Sequence, residues 1–532
     1  MSASMSASMS ASMSASMSIT DTKNNDIKQE ECIKKDSSVL TPWEVKGTIN
    51  YIAQIEKFGT SAVDGKVIER WERVTKTKAH RFMRRGIVYS HQDIDKILDC
   101  VEQGIPVYLY TGRGPSSESM HMGHKIPFEF TAYLQKALNC IVIIQLSDDE
   151  KFLFKDGFGP LNLEHYRQLS YKNAQDIIAC GFDPDMTYMF SNLESNSGSL
   201  YFNNILIMKS TNMNQIKGTY GLGETLPESV LNILQNSLKN ETDSKTVIDI
   251  KGVIKKYSGK SANLGMCAWP AFQCGPAFCT SFKELFVSAL KSTLRLKGDT
   301  IPPSVAKNMK NAISELLKLG KTQSIMCLVP MAIDQAPYFR MARDSASVLG
   351  CHKPAVIHSE FLPGLKQSNG KMSSTGNNTE NATLFLDMDP KLIAKTIKRH
   401  AFSGGRDTIE EHRMYGGNIK TDISYQYLTY FLESDEKLRD IAERYTSGEL
   451  GSGQLKQITA DLISNEIKRH QEAKSQVTQD VITQFFNPNR ELNINGCYDR
   501  PELDTVNGEY TEYDNYGINF DRTFGFQCRE SE

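Results

Sequence analysis

Apolar residues occur in this chain as short continuous runs separated by stretches with a helical repeat, a pattern that is typical of α/β proteins. Residues 106–110 predict a buried strand, and the Gly, Pro and Ser residues after them predict a tight loop. Residues 125–139 carry an apolar residue at every fourth position, which predicts a helix with one apolar face. The continuous apolar run 140–146 predicts a strand buried on both faces. Because such units are right-handed, we expect the first loop at the carboxyl edge of a parallel sheet, where ligands of open α/β folds bind.

The same pattern continues downstream and then changes. Three more apolar runs predict strands, at residues 187–190, 324–329 and 354–358. A helix is predicted at residues 172–180, ended by Gly181. Beyond Pro390 the repeat becomes helical, with a capping box at Thr408 and Glu411 and predicted helices at 391–400, 422–433, 437–445 and 454–468. We therefore predict an α/β domain followed by a mainly helical domain.

Composition limits the classes of partner and compartment. At 532 residues the chain exceeds the usual length of one domain, so two or three domains are expected. The net charge of -2 gives no overall footprint for nucleic acid, so an RNA partner has to be met by local basic patches. Eleven cysteines are scattered without a Cys-x-x-Cys pair, and we interpret them as free thiols of a reducing compartment. No apolar run has the length of a membrane span, so no membrane partner is predicted.

Both ends of the chain differ in composition from its middle. Residues 1–39 begin with four copies of Met-Ser-Ala-Ser, which cannot bury enough surface to fold, and we predict a disordered, low-complexity tail. The first sixteen residues contain no arginine, which argues against a transit peptide. Residues 487–532 are predicted to form an acidic, Tyr-rich tail, with nine acidic and three basic residues from position 498 onward. That tail is either disordered or packed on the body through its tyrosines.

The loop after the first predicted strand holds the first candidate chemistry. A helix that begins there offers free N–H groups and the positive end of its dipole to a phosphate. The glycines let the backbone approach a ligand, Arg113 adds a charged fork, and His121 and His124 can place imidazole donors on phosphate charge. The stretch matches neither the dinucleotide fingerprint nor a Walker motif, and a short His-x-Gly-His string alone carries a high risk of a chance match.

A second, independent signal lies far downstream, in Gly370-Lys-Met-Ser-Ser-Thr-Gly376. A lysine among small hydroxyl residues on a flexible loop can close over a triphosphate and neutralise its β and γ oxygens as pyrophosphate leaves. Alone, this string could be an ordinary solvated loop. Together and in this order, His121-Met-Gly-His124 and Lys371-Met-Ser-Ser374 resemble the two signatures of the class I aminoacyl-tRNA synthetases.

Longer strings narrow the resemblance to the eukaryotic-type tryptophanyl-tRNA synthetases, over most of residues 41–486. The strings are YTGRGPSSE at 110–118, IIQLSDDEKF at 143–152, PAFQ at 270–273, AIDQAPYFRMARD at 332–344 and AFSGGRDTIEEHR at 401–413. The resemblance implies a Rossmann-like, parallel-sheet catalytic domain and a helical anticodon-binding domain. The implied boundaries are an N-terminal extension at 40–105, the catalytic domain at 106–388 with insertions near 224–260 and 291–322, and the helical domain at 389–486.

The resemblance also implies an activity, tryptophan-tRNA ligation in the cytoplasm. Such an enzyme activates tryptophan with ATP and transfers it to the 3' end of tRNA(Trp). Because the attacking carboxylate is already ionised, catalysis reduces to positioning and charge stabilisation. Mg²⁺ would accompany ATP rather than occupy a protein cage, so no metal-binding residue is predicted. The family further implies a homodimer, in which tRNA reaches from one subunit's active site to the other's anticodon domain.

Site residues are carried over motif by motif. The implied catalytic residues are His121, His124, Lys371, Ser373 and Ser374. The implied ATP contacts are Thr111, Gly112, Arg113, His121, Gly123, His124, Asp334, Lys371, Met372 and Ser373. A slot for tryptophan needs an acceptor for the indole N–H, because a buried unpaired polar group is costly. The resemblance places Tyr110 and Gln145 at that nitrogen, and Glu150, Gln273 and Gln335 around the ammonium and carboxylate groups. Tyr110 could instead be a core residue, and Gln145 could satisfy backbone groups of the sheet.

Several segments outside the motifs are open to more than one interpretation. The basic stretch 73–85 could cover ATP, meet the acceptor stem or form a solvated face. The two insertions are predicted to be surface elaborations outside the catalytic core. Near the end of the helical domain, candidate anticodon contacts that could equally be a solvated helix face are Lys468, Arg469, His470 and Lys474. The adjacent carboxylates 148–150 are expected to point in different directions rather than to hold a metal.

Two other functions compete with tryptophan ligation. A tyrosyl-tRNA synthetase shares the fold, but its pocket would want a carboxylate for the phenol hydroxyl, and the strings at 110–118 and 401–413 argue against it. An RNA-binding or regulatory protein that kept the fold and lost catalysis is the second alternative. The intact signature residues argue against decay, because those side chains have little structural reason to persist together.

Overall fold

The computed structural model describes residues 50–155, 159–220, 228–240, 262–318, 325–366 and 382–494, and short pieces at 39–40, 45–46, 246–247, 249–250 and 253. The Lys371-Met-Ser-Ser374 string therefore lies outside the described residues, as do nearly all of the predicted N-terminal tail and residues 495–532. The helices and strands below belong to the described part of the chain.

A seven-stranded sheet forms the centre of the molecule. Its strands are β3 Ser61–Ala62, β4 Val88–Gln92, β5 Val107–Arg113, β6 Ile141–Leu146, β7 Thr187–Ser191, β8 Met326–Ala332 and β9 Ala355–Ser359. They lie in the order β3-β4-β9-β8-β5-β6-β7, with β9 to β7 parallel and β3 and β4 antiparallel at one edge. A separate antiparallel pair joins β1, Val39–Leu40, to β2, Val45–Lys46. The predicted parallel sheet is confirmed, with all five predicted strands within it.

Helices cover the sheet and build the C-terminal part. Those up to β9 are α1 Tyr51–Phe58, α2 Gly65–Thr75, α3 Arg81–Arg84, α4 Ile94–Glu102, α5 Met122–Leu138, α6 Asp148–Phe154, α7 Pro160–Ile178, α8 Asn192–Ser195, α9 Gly198–Ser210, α10 Met213–Tyr220, α11 Glu228–Asn240, α12 Leu264–Cys274, α13 Lys283–Lys297, α14 Pro303–Leu316 and α15 Ala336–Leu349. The C-terminal helices are α16 Pro390–His400, α17 Ile409–Tyr415, α18 Ile423–Phe431, α19 Asp435–Thr446, α20 Ser452–Ser475 and α21 Gln479–Phe486.

The sheet separates two large hydrophobic clusters, because successive side chains of a strand point to opposite faces. In β5, Leu109 joins one cluster, whereas Tyr108 and Tyr110 join the other. In β6, Val142 and Ile144 alternate with neighbours in the same way. This burial on both faces is what the continuous apolar run predicted. A third, smaller cluster lies among the C-terminal helices.

The predicted helices are present, and the largest difference is at α7. It begins at Pro160, twelve residues before the predicted start at 172, because its first half has no apolar face to signal a helix. Leu161 in that half is 84% exposed. The predicted capping box is confirmed, since Thr408 accepts a hydrogen bond from the Glu411 N–H and the Glu411 carboxylate accepts one from the Thr408 N–H.

The second predicted insertion is not a surface elaboration over its whole length. Helix α14 buries Val305, Met309, Ala312 and Leu316 in the cluster that also holds Tyr110. These positions repeat at helical spacing and give α14 one apolar face. The expectation that residues 291–322 lie outside the catalytic core is therefore wrong for this helix.

The basic stretch 73–85 contains three arginines that fit none of the three interpretations of this stretch. Arg81, Arg84 and Arg85 are all buried. Arg81 pairs with Glu129 of α5 and Glu433, while Arg84 and Arg85 both pair with Asp435 at the start of α19. These three side chains tie the N-terminal segment to the helical part of the chain, and Lys76 and Lys78 remain exposed.

The beginning of the predicted acidic tail packs on the body. Leu492 and Ile494 are buried in the same cluster as Tyr110, and the Ile494 N–H donates to the Thr293 hydroxyl of α13 at 3.1 Å. Glu491 pairs with Arg295, two residues further along α13, at 2.8 Å. The four tyrosines that offered an alternative anchor lie outside the described residues.

Candidate active site

The carboxyl ends of β5, β6, β8 and β9 meet at one edge of the sheet. From β5 the chain moves through β6 to β7 on one side, whereas β8 and β9 lie on the other side of β5. The strand order thus reverses between β5 and β8, and ligands of open α/β sheets bind at such a point. Of the described candidate residues, Tyr110 to Arg113 lie within β5 and Gln145 within β6, and all the others except Gln273 follow β5, β6 or β8 in the chain.

His121 and His124 lie at the start of α5, as predicted. Their rings stack with centroids 3.5 Å apart, and the His121 N–H donates to Nδ1 of His124 at 3.4 Å. The backbone around them pairs with residues 384–386. Met122 N donates to Leu384 O at 2.9 Å, and Leu386 N donates to Met120 O at 2.8 Å. The first signature is thereby joined to the segment that follows the second one in the sequence.

The glycines of the first loop allow close packing of backbone and side chains. Gly112 lies opposite Gln145 in the β5–β6 ladder, where a Cβ atom would come within 3.0 Å of the Gln145 carbonyl oxygen. A Cβ at Gly114 would collide with the Glu150 carboxylate. Thr111 of β5 is buried, and Gly123 lies in the first turn of α5. Glycine at positions 112 and 114 therefore lets Gln145 and Glu150 pack directly against the backbone of the first loop.

Arg113 ends β5 with a buried guanidinium group. Its Nε donates to the Asn173 side-chain oxygen of α7 at 2.5 Å, and its Nη2 has no hydrogen-bond partner among the described residues. Burial lowers the pKa of Arg113 to about 10, although the nearby carboxylates of Asp176 and Glu150 oppose this shift. Arg113 therefore stays charged at neutral pH and keeps a buried donor for an anion.

Tyr110 and Gln145 form one hydrogen-bonded group inside the sheet. The Tyr110 hydroxyl has two acceptors, Oε1 of Gln145 at 2.6 Å and the backbone oxygen of Gln273 at 2.9 Å. Gln145 is 1% exposed and Tyr110 is fully buried. Burial raises the pKa of Tyr110 well above its usual value, so the hydroxyl stays protonated. The structure brings together three of the five predicted tryptophan contacts in this group.

The three consecutive carboxylates point to different partners, as expected. Asp148 accepts hydrogen bonds from the Ser191 hydroxyl at 2.5 Å and from the Leu193 N–H. Asp149 faces Asn192 and Trp269. Glu150 accepts from the Ser147 hydroxyl at 2.7 Å and pairs with Lys151 at 3.0 Å. Within the described residues, no three His, Cys, Asp or Glu side chains lie close enough to hold a metal ion.

Asp334 and Gln335 lie in a 3-10 turn that follows β8 at the same edge of the sheet. Asp334 is buried and Gln335 is partly exposed. Helix α15 begins directly after this turn, and its Phe339 ring packs on Tyr110 with centroids 5.9 Å apart. The turn therefore joins the residue predicted to contact ATP, Asp334, to a helix that packs on the predicted tryptophan contact Tyr110.

Comparisons with known proteins identify the family of this chain. A family model described as "tRNA synthetases class I (W and Y)" matches residues 316–467. The cytoplasmic tryptophan–tRNA ligase of Mus musculus is 38% identical over 478 residues, which cover 88% of this chain and 83% of that protein. The cytoplasmic enzyme of Dictyostelium discoideum is 38% identical over 86% of this chain and 96% of its own length. The chain belongs to the tryptophan–tRNA ligase family.

Solved structures of family members have the same fold. A tryptophanyl-tRNA synthetase of Plasmodium falciparum matches with a TM-score of 0.63 and 39% identity, over 83% of this chain and 96% of that one. The enzyme of Encephalitozoon cuniculi bound to tryptophan matches with a TM-score of 0.62 and 33% identity, over 83% and 98%. The α/β sheet followed by helices is thus the fold of a tryptophan–tRNA ligase.

In this family member, Asp176 of α7 links the helical part to the first signature. Its carboxylate receives Nζ of Lys474 at 2.8 Å, Nε2 of His470 at 3.2 Å and the Met120 N–H at 3.4 Å. Burial acts to raise the pKa of Asp176, but the hydrogen bonds from His470 and Lys474 outweigh it and lower the pKa. His470 and Lys474 therefore have structural partners, whereas Lys468 and Arg469 are exposed and remain predicted tRNA contacts.

Three polar residues of the site were not predicted from the sequence: Asn173, Asp176 and Asn192. They lie in α7 and directly after β7, outside the matched strings, and contact Arg113, Met120 and Gln145 only after folding. Their one available signal is that each is a polar residue in an otherwise apolar helix face or strand end. Buried polar residues of that kind need partners, which makes them candidates for site residues.

Proposed function

We propose that this protein is a tryptophan–tRNA ligase, which forms tryptophanyl-adenylate from tryptophan and ATP and transfers the tryptophanyl group to tRNA(Trp). The observation that carries this proposal is the buried pair of Tyr110 and Gln145, whose two side-chain oxygens lie in hydrogen-bond contact beside a large apolar cluster. An indole N–H placed there finds a buried hydrogen-bond acceptor, which phenylalanine could not use. The family membership and the relatives named above support the same activity.

The reaction begins when the tryptophan carboxylate attacks the α-phosphorus of ATP and releases pyrophosphate. Because the nucleophile is already an anion, the protein holds the reactants and stabilises charge on the phosphates. His121, Gly123 and His124 are proposed to hold the adenosine and α-phosphate region, with Thr111, Gly112 and Arg113 beside the phosphates. Glu150, Gln273 and Gln335 are proposed to orient the amino acid, and Asp334 the ribose.

The second step and the accompanying ion follow from the same assignment. A ribose hydroxyl of the terminal tRNA adenosine attacks the adenylate carbonyl and displaces AMP. Mg²⁺ is proposed to arrive with the ATP phosphates, which suits an ion that keeps several of its ligands outside the protein. The relatives from Mus musculus and Dictyostelium discoideum are cytoplasmic ligases, which supports a cytoplasmic location. No helix within the described part of the chain is long and apolar enough to cross a bilayer.

Pyrophosphate exchange into ATP tests the function directly. We expect exchange with tryptophan and background exchange with tyrosine and phenylalanine under one condition. Exchange with tyrosine would overturn the pocket assignment and keep the reaction class. Absence of exchange with all three amino acids would instead favour a binding protein that has lost catalysis.

The role of Lys371 is tested by Lys371→Ala. The lysine charge is needed as pyrophosphate leaves, so we expect adenylate formation to fall by about 10²-fold or more while the affinity for tryptophan changes little. A single-turnover assay measures the rate of adenylate formation, and an equilibrium titration with tryptophan measures its affinity. Lys353→Ala, at an exposed lysine before β9, is the control and should alter neither. Equal losses of both would contradict the proposed role.

We propose in addition that two copies of the chain associate through α9. One face of this helix buries Leu200, Asn203 and Ile207 against the body. The other face exposes Tyr201, Phe202 and Ile205, which are 48%, 57% and 44% accessible. A cluster of large apolar side chains on a surface helix is typical of an interface, and the homodimer implied by the family would cover it.

A further inference from the structure

The side-chain amide of Gln145 can accept a hydrogen bond from an indole N–H in only one of its two orientations. Its Oε1 end accepts hydrogen bonds, whereas its Nε2 end only donates. In the structure Nε2 donates to Oδ1 of Asn192 at 2.8 Å and to the Phe272 backbone oxygen at 2.9 Å. Oε1 is thereby turned toward the Tyr110 hydroxyl. A rotated amide would present its donors to the N–H of tryptophan.

The side-chain amide of Asn192 could also lie in either of two orientations, and its hydrogen bond to Asp149 selects one of them. Asn192 is 4% exposed, and its Nδ2 donates to Oδ1 of Asp149 at 2.9 Å. That carboxylate oxygen also accepts from Nε1 of Trp269 at 3.3 Å and from the Glu150 N–H at 2.8 Å. A rotated Asn192 would place its own oxygen against this acceptor, which is unfavourable. The orientation is therefore transmitted from Asp149 through Asn192 to Gln145.

The Tyr110 hydroxyl completes the arrangement. It has a single proton and two acceptors, Gln145 Oε1 and the Gln273 backbone oxygen. When an indole N–H donates to Gln145, Tyr110 can direct its proton to Gln273 and offer a lone pair to the same N–H. The Gln145 Oε1 atom and the Tyr110 hydroxyl oxygen then both accept from the indole N–H, and no buried donor is left unpaired.

We propose that Asn192, oriented by Asp149, is a positioning residue that determines specificity for tryptophan by holding the Gln145 carbonyl oxygen toward the indole N–H. The inference rests on the proposed function and deepens it. Asn192 and Asp149 act on the substrate through Gln145, because they determine which end of its amide faces the indole N–H.

The test compares tryptophan with β-(3-benzothienyl)alanine, which has a similar shape and carries sulfur in place of the N–H group. The ratio of kcat/KM for the two amino acids in pyrophosphate exchange measures recognition of the N–H alone. In Asn192→Leu, Gln145 loses one of its two acceptors, and we expect the ratio to fall by about tenfold, mainly through KM for tryptophan. Asp149→Asn keeps an amide oxygen at the position of Oδ1, and the ratio should stay within about twofold of wild type.

Gln145→Met provides the decisive background. Once Gln145 no longer offers an acceptor to the indole N–H, adding Asn192→Leu should change the ratio no further, because Asn192 acts only through Gln145. Both amino acids are assayed on one preparation, so an unfolded fraction cancels from the ratio. Equal losses for both substrates in Asn192→Leu, or an unchanged ratio, would overturn the inference. Absence of tryptophan activation by the wild-type enzyme would overturn the proposed function instead.

Discussion

At the scale of single residues, the carboxyl group of Asp149 connects the site to stability. Burial raises the pKa of Asp149 to about 7, although hydrogen bonds from Asn192 and Trp269 oppose the shift. Between its unfolded pKa near 4 and the folded value, the folded state binds the proton more tightly, so this group makes the protein less stable as pH rises. We predict that Asp149→Asn removes this cost.

The expected result is a pH-dependent gain in the variant. Near pH 4 the two proteins should have similar free energies of unfolding, and above pH 7 the variant should be more stable by up to about 3 kcal/mol. Urea unfolding of both proteins at a series of pH values measures the difference. A difference that stays constant from pH 4 to 8 would contradict the raised pKa.

Residues of the site differ in how far the sequence could identify them. Tyr110 and Gln145 belong to strings that the resemblance matched, and the structure places them in hydrogen-bond contact. Asn192 follows β7, in a segment without a motif, and its role depends on how β6 and β7 lie side by side. Local sequence carries no information on which amide faces which carboxylate, because that is decided by the pairing of strands.

At the scale of elements, the ion pairs of Asp435 hold α19 against α3. Arg84 and Arg85 reach its carboxylate at 2.7 and 2.6 Å, and the Asp435 side chain is 14% exposed. Burial acts to raise the pKa of Asp435, but the two arginines outweigh it and lower the pKa. We predict that Asp435→Ala lowers the free energy of unfolding by about 3 kcal/mol, because it leaves two buried guanidinium groups without a carboxylate, although they keep hydrogen bonds to backbone oxygens.

The control for this prediction is Asp440→Ala in the same helix. Asp440 pairs with Arg444 at 3.4 Å, but both side chains are well exposed, so the loss should be about 0.5 kcal/mol or less. The two losses can be compared by urea unfolding at pH 7. Because the pKa of Asp435 is lowered, its contribution should be present at neutral pH and disappear as pH falls below about 4. Equal losses in the two variants would contradict the buried ion pairs.

For helix α14, the existence of the helix could be predicted from the sequence, but its position in the fold could not. Its apolar residues at 305, 309, 312 and 316 have helical spacing, so the amphipathic helix itself was predictable. Its place was not, since it packs beside the start of β5, where Val305 approaches Gly104 and Asn308 donates to the Gln103 backbone oxygen. A polar outer face and a departure from the family pattern suggested a surface addition, but the inner face fills the core.

At the scale of the whole molecule, the helical part contacts both sides of the first signature. Gln471 of α20 donates to the backbone oxygens of Leu386 and Met388, and His470 and Lys474 reach Asp176. The order of the two domains was evident from the change of apolar repeat at Pro390. Their contact was not evident, because Gln471, His470 and Lys474 look in the sequence like an ordinary polar helix face. Helix α20, which carries the candidate tRNA contacts, thus also supports the predicted nucleotide end of the site.

The quaternary structure gives the last prediction, through Phe202→Glu on the exposed face of α9. A carboxylate in an apolar interface loses its hydration, so the variant should be a monomer at concentrations where the wild type is a dimer in sedimentation velocity. Ile409→Glu replaces an equally prominent apolar residue, 68% exposed on α17, and should leave the dimer intact. If tRNA spans two subunits, the monomer should lose aminoacylation more than pyrophosphate exchange. A Phe202→Glu dimer of wild-type affinity would place the interface elsewhere.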